Sequence, residues 1–190
     1  MLIPEIEKLL GIDVYASKNE GVSGAIRESV DDFVVEEVLV DGSKASVNGD
    51  LRSRVLGSSH QKQRFLLCVL IKRNWDTFIA VKNIAKFLGI DQARVQFAGI
   101  KDAKAVTAQH ITLENILMED VGKIDIKEIS VTPVGYVREM LSLFYLLSNN
   151  FTITIKSINS SEASIKESIT QTINELEALS GIPNFFGHQR

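Results

Sequence analysis

The sequence predicts an α+β fold: a mixed, largely antiparallel sheet with helices packed on one side. Three observations carry this. Segments of strand character outnumber helical ones and interleave with them irregularly. An unbroken apolar run over residues 65–71 has no polar face, so it belongs in the middle of a sheet. Two stretches, one after Asn74 and one after Asn159, repeat their apolar residues at three- and four-residue spacing, as amphipathic helices do. A chain of 190 residues that is 45% hydrophobic and 24% charged has the balance of a globular protein and a length of about one domain.

Residues 4–10 read as a short helix, with Pro4 near its start and Gly11 after its end. Residues 25–29 and 33–40 read as strands; in the second, Glu36 and Glu37 interrupt a β-branched run. Residues 41–59 are polar, Gly/Ser-rich and aperiodic, a loop long enough to suggest mobility or a function. The central strand is predicted over 64–72. Asn74 can cap the helix that follows, in which Phe78, Val81, Ala85 and Leu88 share a face and Gly89 ends the run. Lys82 and Lys86 are four apart on that helix and lie on one side. Strands are predicted over 95–99, 107–113, 128–137 and 151–158, the second of these alternating polar and apolar. Asn149 and Asn150 read as turn residues before the last strand. Asn159 or Ser161 can cap a helix reaching Ser180, with Ile165, Ile169, Ile173 and Leu176 along one face.

Composition excludes several classes. The longest apolar run is far short of the ~20 residues of a membrane span, and the N-terminus carries acids early with no signal-peptide core. The single cysteine, Cys68, cannot form an internal disulfide, which suits a reducing cytoplasm. His60, His110 and His188 are scattered and form no metal-ligand spacing with Cys68 or the carboxylates. Neither phosphate-binding glycine signature, G-x-x-x-x-G-K-[ST] or G-x-G-x-x-G, occurs. The net charge of −3 hides an uneven distribution: residues 60–110 carry nine basic and three acidic residues, and the acidic excess lies elsewhere. A local cationic field of this kind suits a polyanion; a solvated lysine face is the plainer alternative.

The string Gly99-Ile100-Lys101-Asp102-Ala103-Lys104-Ala105-Val106-Thr107-Ala108-Gln109 places an aspartate just past a strand end. Gly99 frees the backbone to turn, and Lys101 and Lys104 flank Asp102 in a setting for a charged carboxylate. Such a carboxylate can act as nucleophile or general base beside phosphates, or it can simply close a turn on its own backbone. An unrelated small-molecule enzyme using Lys101 and Asp102 on a phosphate would need no more than this.

The same string resembles G-x-K-D-x-x-A-x-T-x-Q, the signature of the tRNA pseudouridine synthase D (TruD) family. Three further segments agree in order. Asp32-Phe33-Val34-Val35-Glu36-Glu37 is similar to the family's D-F-x-V-x-E, with Arg27 at the position of a basic residue six before the Phe. Asn149-Asn150-Phe151 is similar to the N-x-F of its G-N-x-F, with Ser148 where glycine is usual. Asn184-Phe185-Phe186-Gly187-His188-Gln189-Arg190 is similar to N-[FY]-F-G-x-Q-R.

The resemblance implies a pseudouridine synthase-like catalytic core that is incomplete. Residues 1–190 would be its N-terminal part, cut after Arg190, with the remainder and an inserted family-specific domain absent. It implies an RNA-modifying isomerase acting on tRNA, with no cofactor and no metal. Asp102 would be the nucleophile, Phe33, Asn149 and Phe151 would shape the uridine pocket, and Arg27 would sit beside it. Lys101, Lys104, Lys82 and Lys86 would then meet RNA phosphates. A catalytically incomplete RNA-binding fragment using residues 60–110 is the alternative.

Overall fold

The computed structural model describes residues 3–19, 21–49 and 55–182. The chain divides into two units, Ile26–Thr154 and a second made of its two ends, Met1–Ala25 with Ile155–Arg190.

The larger unit holds the sheet. Its strands are β2 (Phe33–Leu39), β3 (Phe65–Arg73), β4 (Val95–Phe97), β5 (Val106–Glu114), β6 (Ile129–Val137) and β7 (Leu146–Ile153); the strand of two residues before them, Ala25–Ile26, is β1. Among the described residues the order across the large sheet is β6-β3-β5-β2-β7, with β4 also on β5. β3 pairs antiparallel with β5 on one side and β6 on the other, so the apolar run is central as predicted. The single parallel ladder among these joins β2 to the start of β5, with Val34 opposite Val106 and Val35 opposite Thr107. β4 takes the same edge of β5 further along, with Val95 opposite Leu113. Pro133, which cannot donate to a ladder, lies on the outer strand β6 at a register shift.

Alternation along β3 splits the core into two layers. Leu66, Cys68 and Leu70 meet Ala80, Val81, Ile84 and Ala85 of helix α2 (Thr77–Leu88), together with Ile111 and Leu113 of β5 and Val121 of the short helix α3 (Met118–Val121). Leu67 and Val69 face the other way, toward Val55 and Ala45 of the long loop. Helices therefore cover one face, and Ala45 and Val55 of the long loop pack on the other. Burial raises the Cys68 thiol far above its ordinary range.

Several local expectations change. The strand predicted over 25–29 stops at Ile26, because Arg27 takes a positive φ of 61°. Asn74 does not cap α2; it also has positive φ, and the cap is Asp76, whose carboxylate accepts from the Phe78 and Ile79 N–H groups. Phe78 is half exposed and meets Phe97 edge-on instead of joining the core face. The strand predicted from Phe151 begins at Leu146, so Ser148, Asn149 and Asn150 are extended residues in register with Val38, Glu37 and Glu36. The alternation read in β5 does not mark a wet face: Thr107, Gln109, His110 and Thr112 are all buried.

In the smaller unit, helix α1 is Glu5–Lys8 and helix α4 is Glu162–Ala178, capped by Ser161 as predicted. Asn19 ties the N-terminal segment to α4, donating to the Ser168 carbonyl at 2.7 Å and accepting from the Ser168 hydroxyl. The apolar face of α4 is not buried: Ile169 and Ile173 stay about half exposed. The segment from Asn184 to Arg190 lies outside the described residues, and no helix among the described ones is long and apolar enough to cross a membrane.

Candidate active site

Asp102 sits in the loop between β4 and β5, on the face of the sheet that carries α2. That loop is pinned from four directions. The Gln109 amide donates to the Gly99 carbonyl at 3.1 Å. The Thr77 hydroxyl, in the first turn of α2, accepts the Lys101 N–H at 3.1 Å and lies 3.2 Å from the Lys101 carbonyl. The buried Lys72 ammonium donates to the carbonyls of Trp75 at 2.7 Å, Asp102 at 2.8 Å and Lys101 at 3.4 Å. Lys101 reaches the Glu37 carboxylate at 2.7 Å, both side chains being essentially buried. A Cβ at Gly99 would stand 3.0 Å from Leu146 Cδ2 and 3.2 Å from Lys101 Nζ, so those side chains would have to give by a few tenths of an ångström.

These contacts leave the Asp102 carboxylate projecting from a fixed backbone. Its cation is Arg27, 75 residues away, whose Nη2 lies 2.7 Å from Asp102 Oδ1. The Arg27 guanidinium also stacks on Phe33, 3.7 Å from the ring centroid. Phe33 meets Phe151 edge-on at 5.9 Å between centroids. The reason for this convergence is register: Phe33, Val35 and Glu37 alternate along β2, and their partners on β7 are Ile153, Phe151 and Asn149. Phe33 is nearly buried while Phe151 is 54% exposed, so the pair presents one supported ring and one open ring. Asn149 Oδ1 is buried with no hydrogen-bond partner among the described residues. Polar atoms of that kind are uncommon in folded proteins and ask for an explanation.

Glu37 is the buried anchor behind this surface. Its carboxylate receives the His110 backbone N–H at 2.8 Å and the His110 ring Nδ1 at 3.1 Å, besides Lys101. An ionised carboxylate only accepts, so Nδ1 carries the proton. Burial pushes Glu37 up, but the hydrogen bonds from His110 and the charge and hydrogen bond of Lys101 outweigh it, and its carboxyl lies below the usual range.

The β2–β7 register puts Phe33, Phe151 and Asn149 on one face, and Arg27 links Phe33 to Asp102 there. Lys101 is a correction. It is 4% exposed and spent on Glu37, so it is not available to a phosphate; its charge was visible in the sequence, its burial was not. Lys104, Lys82 and Lys86 are exposed. Lys72, Thr77 and Glu37 were missed. Their signals were a lysine closing an otherwise apolar central strand and an acid inside a β-branched one. Among the described residues no group of three His, Cys, Asp or Glu side chains is placed to hold a metal.

A family model described as tRNA pseudouridine synthase D (TruD) matches residues 9–190. A Methanosarcina barkeri protein named a probable tRNA pseudouridine synthase D is 37% identical over 190 residues, covering all of this chain and 40% of the relative. A Thermococcus onnurineus protein of the same name is 35% identical over 176 residues, covering 93% of this chain and 38% of the relative. The crystal structure of a Methanosarcina mazei protein with that family name superimposes on the whole chain with a TM-score of 0.84 at 31% identity, and 40% of that protein is covered. The chain spans about 40% of the length of the relatives it matches.

Proposed function

The chain belongs to the tRNA pseudouridine synthase D family, and we propose that it carries the nucleophile and one wall of the uridine pocket of an enzyme that converts a uridine of tRNA to pseudouridine. In this reading residues 1–190 are the N-terminal part of a catalytic domain. Asp102 attacks a carbon of the nucleotide, at the uracil or the ribose, and the bond it forms breaks again before the product leaves, returning the free carboxylate. The N1–C1′ bond breaks and a C5–C1′ bond forms. C5 loses its proton to solvent and N1 gains one. Atoms and electrons balance without an oxidant or reductant, so the proposal includes no cofactor.

The remaining residues follow from what the base needs. A uracil taken out of its stack loses stacking energy, which the open Phe151 ring and the Phe33 ring behind it can replace. The Asn149 amide offers both a donor and an acceptor, and its partnerless Oδ1 suits a uracil N–H. Lys82, Lys86 and Lys104 would contact phosphates and supply affinity that falls with salt.

The observation that carries the reading is the grouping of Asp102, Arg27 and Phe33: a carboxylate held at 2.7 Å by a guanidinium whose carbon lies 3.7 Å over an aromatic ring. The test is tritium release from tRNA containing 5-³H-uridine. Residues 1–190 joined to the remaining portion of the Methanosarcina mazei relative should release it, and the 190-residue chain alone should bind tRNA without turnover. A folded joined protein that binds tRNA and releases no tritium contradicts the proposal.

A further inference from the structure

We propose that Lys72 is a positioning residue for Asp102, a clamp on the backbone that presents the carboxylate; this rests on the reading of Asp102 given above. Lys72 ends the central strand β3 and its side chain has no solvent exposure. An ammonium has three N–H donors. Three carbonyls lie within reach of it, those of Trp75, Asp102 and Lys101. All three partners are carbonyls and not carboxylates, so the charge is buried against dipoles.

A buried ammonium is among the more unfavourable groups a core can hold. A plain apolar side chain would close the end of β3 at less cost. What the ammonium adds is a fixed distance between the β3–α2 connection, through Trp75, and the loop that carries Asp102. The clamp acts on the peptide carbonyl of Asp102 itself. The side chain leaves that same residue toward Arg27. Movement of a reacting group by about 1 Å is enough to lower a rate about 10²-fold.

The clamp has a titration. Burial lowers Lys72 to about 8; the charges of Asp76, at the start of α2, and of Asp102 push it up, and Lys101 pushes it down again. Arg73, next in sequence, points its charge to Asp31 and Glu128. Above pH 8 the ammonium becomes an amine with two N–H donors, and three carbonyls can no longer all be held. The effect on stability has the opposite sign. Between about 8 and the ordinary lysine value of 10.5 the unfolded chain binds more protons than the folded one, so titration of Lys72 adds stability as pH rises. Turnover should therefore fall through pH 8 while the melting temperature does not.

The experiment is the pH profile of tritium release by residues 1–190 joined to the remainder of the Methanosarcina mazei relative, with melting curves at each pH. The wild-type kcat should fall with a midpoint near pH 8. Lys72→Arg keeps a charge that does not titrate in this range, and its midpoint should move up by more than one pH unit. Lys72→Met should lose about 10²-fold in kcat with little change in tRNA affinity. An unmoved midpoint in Lys72→Arg, or wild-type kcat in folded Lys72→Met, overturns the proposal. Asp102→Asn separates the two readings. If it turns over, the assignment of Asp102 fails and this one with it; if it is inactive while Lys72→Met is active, only the clamp fails. Should Lys72→Met not fold, carbon NMR of Lys72 in the wild-type 190-residue chain decides. The Lys72 Cε shift and the Asp102 amide shift should titrate together near pH 8; independent titration contradicts the clamp.

Discussion

Arg27 combines the most specific contacts of the site with an unfavourable backbone. Its φ of 61° is a conformation that side-chain-bearing residues avoid at a cost of order 1–3 kcal/mol. The guanidinium holds Asp102 and covers Phe33, which offsets part of this. Both ionic partners are about one-third exposed, so their pairing alone adds little stability. Arg27→Gly removes the strain and the contacts together. The variant is expected to melt within a few degrees of the wild type, while turnover of the joined protein falls about 10²-fold or more; a parallel loss of both would make Arg27 a structural residue. The aromatic and carboxylate members of this cluster were legible in the sequence only through the resemblance of their segments to those of the family. Periodicity alone leaves Phe33 as one more strand residue and Asp102 as a turn. Lys72 and Lys101 were illegible as buried groups, because a lysine's charge is written in the sequence and its partners are not.

Strands β2 and β5 show what element-level reading can and cannot reach. Their positions were legible within a residue or two, and so was the central place of β3, whose both-faced apolarity has few other solutions. The polar and apolar alternation of β5 does not separate a wet face from a dry one, since its polar residues are buried too. Gln109 is polar because it holds the Gly99 carbonyl of the Asp102 loop, and His110 because it serves Glu37, not because water is near; the buried Thr107 hydroxyl has no hydrogen-bond partner among the described residues. The sequence puts the cap of α2 at Asn74, two residues too early; the positive φ of Asn74 and the Asp76 carboxylate on the Phe78 and Ile79 N–H groups place it at Asp76. The Glu37 pairing has an acid signature. Its carboxyl is lowered on folding, so it contributes stability that is fully present above the ordinary carboxylate range and is lost as pH falls through its folded value. Glu37→Gln should abolish this contribution and leave the buried Lys101 without its ion partner, at a cost of about 3–5 kcal/mol at neutral pH. Denaturation of both chains from pH 7 to pH 3 checks it: the difference between them should shrink toward low pH, and a constant difference would remove Glu37 from the account.

At the scale of the whole molecule, the cationic stretch of residues 60–110 proves to be two populations. Lys72 and Lys101 are internal, and Arg64 and Arg73 are engaged with Glu114, Asp31 and Glu128. Lys62, Lys82, Lys86 and Lys104 remain on the surface, and the half-buried Arg94 donates to the Glu114 carbonyl. The local charge excess read from the sequence therefore overstates the field offered to RNA. Lys82→Glu with Lys86→Glu should weaken tRNA binding by the 190-residue chain and reduce the dependence of log Kd on log salt by about one per lysine removed; an unchanged slope would mean that this helix face is only solvated. Whether Asp102 is the nucleophile is decided by turnover of its amide variant. Single-turnover tritium release from 5-³H-uridine tRNA is followed for the joined protein with Asp102 and with Asp102→Asn. Complete loss of release is expected in the variant, with tRNA affinity within about threefold of the wild type, since the amide keeps the shape and removes the nucleophile. Release at a measurable fraction of the wild-type rate by Asp102→Asn would contradict it.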